Sequence, residues 1–109
     1  MAYIDELRNR TRSQQELEDE RRKKAREEFE EHISTGYFNV KRCCEEAAAK
    51  GERSVVAEYG IFSSRAEARE KTDRVIKMLE SDGFTGIRYS IKKYAGHRDI
   101  LSSYIVLHW

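Results

Sequence analysis

The last ten residues, Ile100-Leu-Ser-Ser-Tyr-Ile-Val-Leu-His-Trp109, are the most apolar stretch of the chain and constrain its fold more than any other. A run this short, rich in Ile, Val, Tyr and Trp, reads as a β-strand. Alternation sends Leu101, Ile105, Leu107 and Trp109 to one side and Ser102, Tyr104, Val106 and His108 to the other. A strand with apolar groups on both sides suits the middle of a sheet. The loop Ala95-Gly96-His97-Arg98-Asp99 has hairpin length, so the preceding segment, Ile87 to Tyr94, is expected to run antiparallel to it.

Arg53 to Phe62 reads as a further strand. Val55, Ala57, Tyr59 and Ile61 alternate onto one face, which leaves Val56 and Phe62 on the other. Ser64 and Glu67 have capping-box spacing and open a helix over 64–81, with Ala68, Thr72, Val75, Ile76 and Leu79 as its buried stripe. Asp82-Gly83 ends that helix, and Phe84 can fold back onto its last turn. A strand, a helix and a parallel strand imply a right-handed crossover. The expected architecture is therefore α+β, ordered α-α-β-α-β-β. Its three-stranded sheet has order 1-3-2, half of a ferredoxin-like fold, with helices 37–50 and 64–81 on one face.

Residues 1–33 contain neither Gly nor Pro and favour helix strongly. Glu18/Arg22, Asp19/Lys23 and Glu20/Lys24 stand at i,i+4, acid first. The apolar stripe is thin (Ile4, Leu7, Leu17, Ala25, Phe29, Ile33), and Thr11 and Gln14 interrupt it, which argues against a sustained coiled coil. Ser34-Thr35-Gly36 reads as a break. A second helix over 37–50 would present Val40, Cys44, Ala47 and Ala48, and Gly51 would close it. The expected organisation is a charged helical arm over 1–33 and a compact domain over 34–109.

Charged residues make up 38% of the chain, well above the ~25% of an average globular protein. With 21 basic and 20 acidic residues the net charge is +1, so no global field steers a polyanion or a membrane. No apolar run approaches the ~18 residues that cross a bilayer. The N-terminus lacks a signal-peptide core, which points to an intracellular protein. Cys43 and Cys44, the only cysteines, are adjacent and make no disulfide framework; one is expected to be buried and the other peripheral. His32, His97 and His108 form no metal-binding spacing, and neither a nucleophile elbow nor a phosphate loop occurs. Nothing nominates a catalytic residue, a metal site or a cofactor.

Two binding surfaces remain. The sheet face turned away from the helices should be polar in a three-stranded sheet. Here it is expected to collect Val56, Phe62, Tyr94, Tyr104 and Val106, rimmed by Glu58, Arg88, Lys92 and His108. Such a patch could reach a few hundred Å2, about what monomers expose at most. It calls for a cover: the N-terminal helix, a second copy, or another protein. The second surface is electrostatic. Residues 84–109 hold four basic side chains, Arg88, Lys92, Lys93 and Arg98, against one acid, Asp99, with Tyr89, Tyr94 and Tyr104 interleaved. Aromatics and cations on a sheet can stack bases and hold phosphates, so a nucleic-acid-binding module is the alternative reading.

Three stretches carry a resemblance: Ala47-Ala48-Ala49-Lys50-Gly51-Glu52-Arg53-Ser54-Val55, Leu79-Glu80-Ser81-Asp82-Gly83-Phe84, and Tyr104-Ile105-Val106-Leu107-His108-Trp109. Over residues 37–109 the chain resembles small phage and prophage proteins. In these an Ala-rich helix runs into a Gly-Lys/Arg-Ser-Val strand, a helix ends in Gly-Tyr/Phe, and a last strand ends in Trp. The N-terminal helix is no part of that pattern. The resemblance implies a viral protein acting in the cytoplasm of a bacterial host, either as a virion component or as an inhibitor of a host defence enzyme such as a CRISPR effector nuclease. It supplies no catalytic residues.

Overall fold

The computed structural model describes residues 2–94, 96 and 99–109. Two helices and three strands follow in the order α1 (Tyr3–Ala49), β1 (Ser54–Phe62), α2 (Arg65–Ser81), β2 (Arg88–Lys93) and β3 (Leu101–His108). The strands form one antiparallel sheet of order β1-β3-β2. The protein is α+β, with its most apolar strand at the centre. Contacts divide the chain into a unit up to Glu31 and a unit His32–Trp109.

The first unit is helical from Tyr3 and exposed from Ala2 through Glu28. Its acid-first pairs Glu18/Arg22, Asp19/Lys23 and Glu20/Lys24 do not close into ion pairs. On a solvated helix each such contact gains too little to hold two long side chains in place.

In the second unit, the helix break expected at Ser34-Thr35-Gly36 does not occur, because α1 continues through it. Gly36 is buried and serves as a seat. A Cβ built on it would lie 1.8 Å from Cε2 of Tyr59, so only glycine lets that ring lie against the helix. Ile33, Gly36, Val40, Cys44 and Ala47 form the buried stripe of this part of α1. Cys44 is buried and Cys43 is not, and burial pushes the Cys44 thiol up. The helix ends in a Schellman turn: Glu52 N–H donates to Ala47 O (3.0 Å), Gly51 N–H donates to Ala48 O (2.9 Å), and Gly51 takes φ +80°. α2 is capped as its sequence foretells. Ser64 Oγ accepts from Glu67 N–H at 3.2 Å, and Phe84 N–H donates to Leu79 O at 3.3 Å past Gly83.

The core lies between the helices and one face of the sheet. Tyr59 is seated on α1, and Ala57, Ile105 and Leu107 fill this face with Ala68, Val75 and Leu79 of α2. Register places Val55, Ala57 and Tyr59 opposite Leu107, Ile105 and Ser103.

Candidate functional site

The face opposite the helices can be written out from the register. Ser54 stands opposite His108, Val56 opposite Val106, and Glu58 opposite Tyr104. Across β3, Arg88 pairs with Val106, Ser90 with Tyr104, and Lys92 with Ser102. The Val56/Val106 pair lies in the middle rows and is open to water, at 61% and 39% exposure. Glu58, Arg88, Tyr104 and His108 surround it. Lys92 Nζ lies 5.7 Å from the centroid of the half-buried Tyr104 ring, a cation–π contact that occupies one side of that aromatic. At the lower edge Ser102 is fully buried, with its Oγ 3.0 Å from Glu58 Oε1 and 2.9 Å from Gly60 O. Gly86, Arg88, Val106 and His108 line a shallow hollow of about 350 Å3 on this face.

The expected patch is smaller than the sequence suggests, and the reason is a β-bulge. Between Tyr59 and Phe62 the pairing slips by one residue, so Phe62 comes opposite Leu101. One extra residue reverses the alternation. Phe62 turns into the core at 1% exposure, and Ile61, expected inside, stands outside at 57%. Gly60 makes the bulge possible. It holds φ +71°, and a Cβ there would meet the Phe62 ring at 2.5 Å. Phe62 is therefore not part of the open face. Tyr94 is half-buried just beyond β2, with its N–H donating to Ile100 O at 2.8 Å. Val56, Tyr104 and Val106 are the three candidates that the sheet brings together. Of the basic candidates, Arg88, Lys92 and Lys93 lie on β2, and Arg98 lies outside the described residues.

Two features escape the sequence pattern. The first is a cleft of about 440 Å3 beside β2, lined by Arg65, Arg69 and Asp73 of α2 and by Tyr89, Ser90 and Ile91. Tyr89 Oη donates to Asp73 Oδ1 at 3.0 Å; burial, and then this bond, push the phenol up. The i,i+4,i+8 spacing of Arg65, Arg69 and Asp73 was legible, but their position against β2 was not. The second is a polar cluster under the helices. Lys71 Nζ is buried, 2.8 Å from His32 Nδ1 and 2.8 Å from Glu67 Oε1, and 6.0 Å from the Phe62 ring centroid. His32 packs against Tyr59 and Phe62, in contrast to the solvated helix-end histidine that its sequence position implies. Burial, then the Lys71 charge, hold His32 below its ordinary 6.5, and the hydrogen bond from Lys71 holds Glu67 below 4.5. Burial pushes Tyr59 up to about 12. The Lys71 ammonium is shielded while the Glu67 carboxylate stays partly exposed, and the lysine joins α2 to α1 as a structural tie.

Among the described residues no group of three or more His, Cys, Asp or Glu is placed to hold a metal ion, and no helix is long and apolar enough to cross a membrane. The fold defines a small α+β protein with one bare sheet face. No family model, curated protein or solved structure matches the chain.

Proposed function

We propose that the protein is a non-catalytic docking protein whose open sheet face binds a protein partner. The exposed Val56/Val106 pair, ringed by Glu58, Arg88, Tyr104 and His108, carries this reading. Specific interfaces combine a desolvated apolar centre with a polar rim, and this face has both in miniature. The partner it fits offers an apolar side chain to the valines, a carboxylate to Arg88 and a cation to Glu58. The resemblance to phage proteins makes a host defence enzyme, such as a CRISPR effector nuclease in the bacterial cytoplasm, the first partner to test. Self-association and a virion role are the competing uses of the same face.

The test compares the intact chain with Val106→Asp. Circular dichroism should be unchanged, because the side chain points to solvent. Inhibition of a panel of host nucleases, and retention of one of them on the immobilised protein, should be lost in the variant. Equal behaviour of the two proteins would remove the reading. A concentration-dependent sedimentation shift that the variant abolishes, with no nuclease retained, would replace it with self-association.

A further inference from the structure

β2 is an edge strand, paired with β3 alone in the order β1-β3-β2. Its ladder shows which backbone groups it leaves free. Tyr94 N–H donates to Ile100 O at 2.8 Å, and this pair continues the register from Lys93/Leu101. Antiparallel pairs alternate between hydrogen-bonded and non-bonded. Arg88, Ser90 and Lys92 therefore turn their backbone groups to β3, whereas Tyr89, Ile91 and Lys93 turn theirs to the open edge. The side chains of these last three face α2, as the bond from Tyr89 Oη to Asp73 Oδ1 shows.

Beside that edge lies the cleft of about 440 Å3, walled on the helix side by Arg65, Arg69 and Asp73. Four residues of helix advance about 6 Å and two residues of strand about 7 Å, so α2 and β2 keep nearly equal step. Asp73 accepts the Tyr89 hydroxyl. The next two steps toward the start of α2 bring Arg69 and Arg65, and among the described residues neither is paired with a carboxylate.

We propose that the groove between α2 and the free edge of β2 receives an extended acidic peptide, which joins the sheet as a fourth strand and presents alternate Asp or Glu side chains to Arg69 and Arg65.

Strand addition takes its affinity from main-chain hydrogen bonds and its selectivity from side chains that alternate between two faces. On the α2 face the selecting groups are the two arginines, whose planar forks suit carboxylates. Arg88 and Lys92 lie on the opposite face, beside Val106 and Tyr104, and form no common row with those arginines. Their effect is separate: a basic strand at this edge is repelled from either side. A second copy's β2, Arg-Tyr-Ser-Ile-Lys-Lys, is rejected in the same way. An acidic strand meets opposite charge on both faces. The edge at β1 offers no such match, since its only charged side chain is Glu58. The Val56/Val106 pair takes no part, so the groove is a second surface, beyond the docking face.

The experiment is a fluorescence anisotropy titration of the full chain with a labelled, capped peptide of alternating Thr and Glu at low salt. It should bind saturably, and the same peptide with Lys in place of Glu should not. Arg65→Ala/Arg69→Ala should weaken binding about 10-fold or more, the scale of lost hydrogen bonds between charged groups. Ile91→Pro removes an N–H that points away from β3, a change an edge strand tolerates. It should weaken binding as much, with little change in the thermal midpoint. N-methylated peptides make the same test without altering the protein. Only alternate N–H groups of an added strand face β2, so methylating either the Glu or the Thr nitrogens should abolish binding, and methylating the other set should spare it. Four results would overturn the groove: no saturable binding, no effect of the arginine variant, equal effects of the two methylated peptides, or single-stranded RNA displacing the peptide as well as unlabelled peptide does. Val106→Asp should bind the peptide as the wild type does, which keeps failure of the groove distinct from failure of the docking face.

Discussion

The two faces of the sheet share the same three strands and differ in what lies over them. On the covered face Ala57, Tyr59, Ile105 and Leu107 are out of water. On the other face Val56 and Val106, one residue away along the same strands, remain in it. Burial is thus assigned by parity, and one inserted residue moves a side chain from one role to the other. Phe62 and Ile61 exchange places at the Gly60 bulge for this reason. An apolar residue on the open face has no folding duty to explain it, so it is there that a binding role is sought.

The strongest way to break the comparison is to remove the side chain that the bulge turns inward. Phe62→Ala should cost about 3–5 kcal/mol in urea or thermal unfolding, as fully buried aromatics do. A loss below about 1 kcal/mol would mean that Phe62 is not in the core after all. Gly36→Ala comes next. The new methyl would stand inside contact distance of the Tyr59 ring, and overpacking of this kind costs about 1–3 kcal/mol, occasionally more. An unchanged midpoint would show that α1 and Tyr59 do not pack as described.

The covered face also has a flaw that can be repaired. Thr72 Oγ1 and Ser103 Oγ are buried, and among the described residues neither has a hydrogen-bond partner. Thr72→Val keeps the shape and removes an unsatisfied hydroxyl, so it should raise stability by about 1 kcal/mol. A loss of stability would show that the hydroxyl is satisfied in solution.

Acid should weaken the same face through His32 and Glu67. His32 titrates below its unfolded value of 6.5, so its contribution is complete above about 6.5 and is lost as pH falls toward the folded value. Glu67 has the same sign and a lower window, opening below 4.5. Tyr59, raised to about 12, is silent in both windows. His32→Gln should remove the stability slope that begins near 6.5 and leave the one below 4.5. If the variant keeps both slopes, His32 is not the group that titrates.

Much of this fold is legible in the residues, because it rests on local rules. Period-two alternation marks the strands, and Ser64, Glu67, Gly51 and Gly83 mark the helix ends through hydrogen bonds that span only a few residues. The failures come where a distant partner decides. Gly36 reads as a breaker by propensity, and it becomes helical because Tyr59 needs the space. Lys71 and His32, 39 residues apart, meet only once α1 and α2 share a sheet face. The bulge is an intermediate case. A lone glycine inside a strand pattern is a recognised sign of one, so Gly60 carried the signal, but the uninterrupted run of apolar residues around it hid the change of parity. For the candidate site, Val56, Tyr104 and Val106 followed from alternation alone. The arginines of α2 required the packing of α2 against β2.

The smallest expected effect is the sharpest test of what the open face is for. Val56→Thr keeps the β-branched shape and exchanges a methyl for a hydroxyl at a position already 61% exposed. Surface substitutions of this kind change stability by no more than about 0.5 kcal/mol, so thermal unfolding should hardly move. A docking face responds differently, because a methyl desolvated by a partner is lost and a hydroxyl must be taken out of water. Partner binding should fall about 10-fold or less, the scale of ~1 kcal/mol. A folding role for Val56 predicts the reverse pattern, a lowered midpoint with binding unchanged per folded molecule. The pair of measurements therefore assigns the exposed valine either to the fold or to what the fold binds.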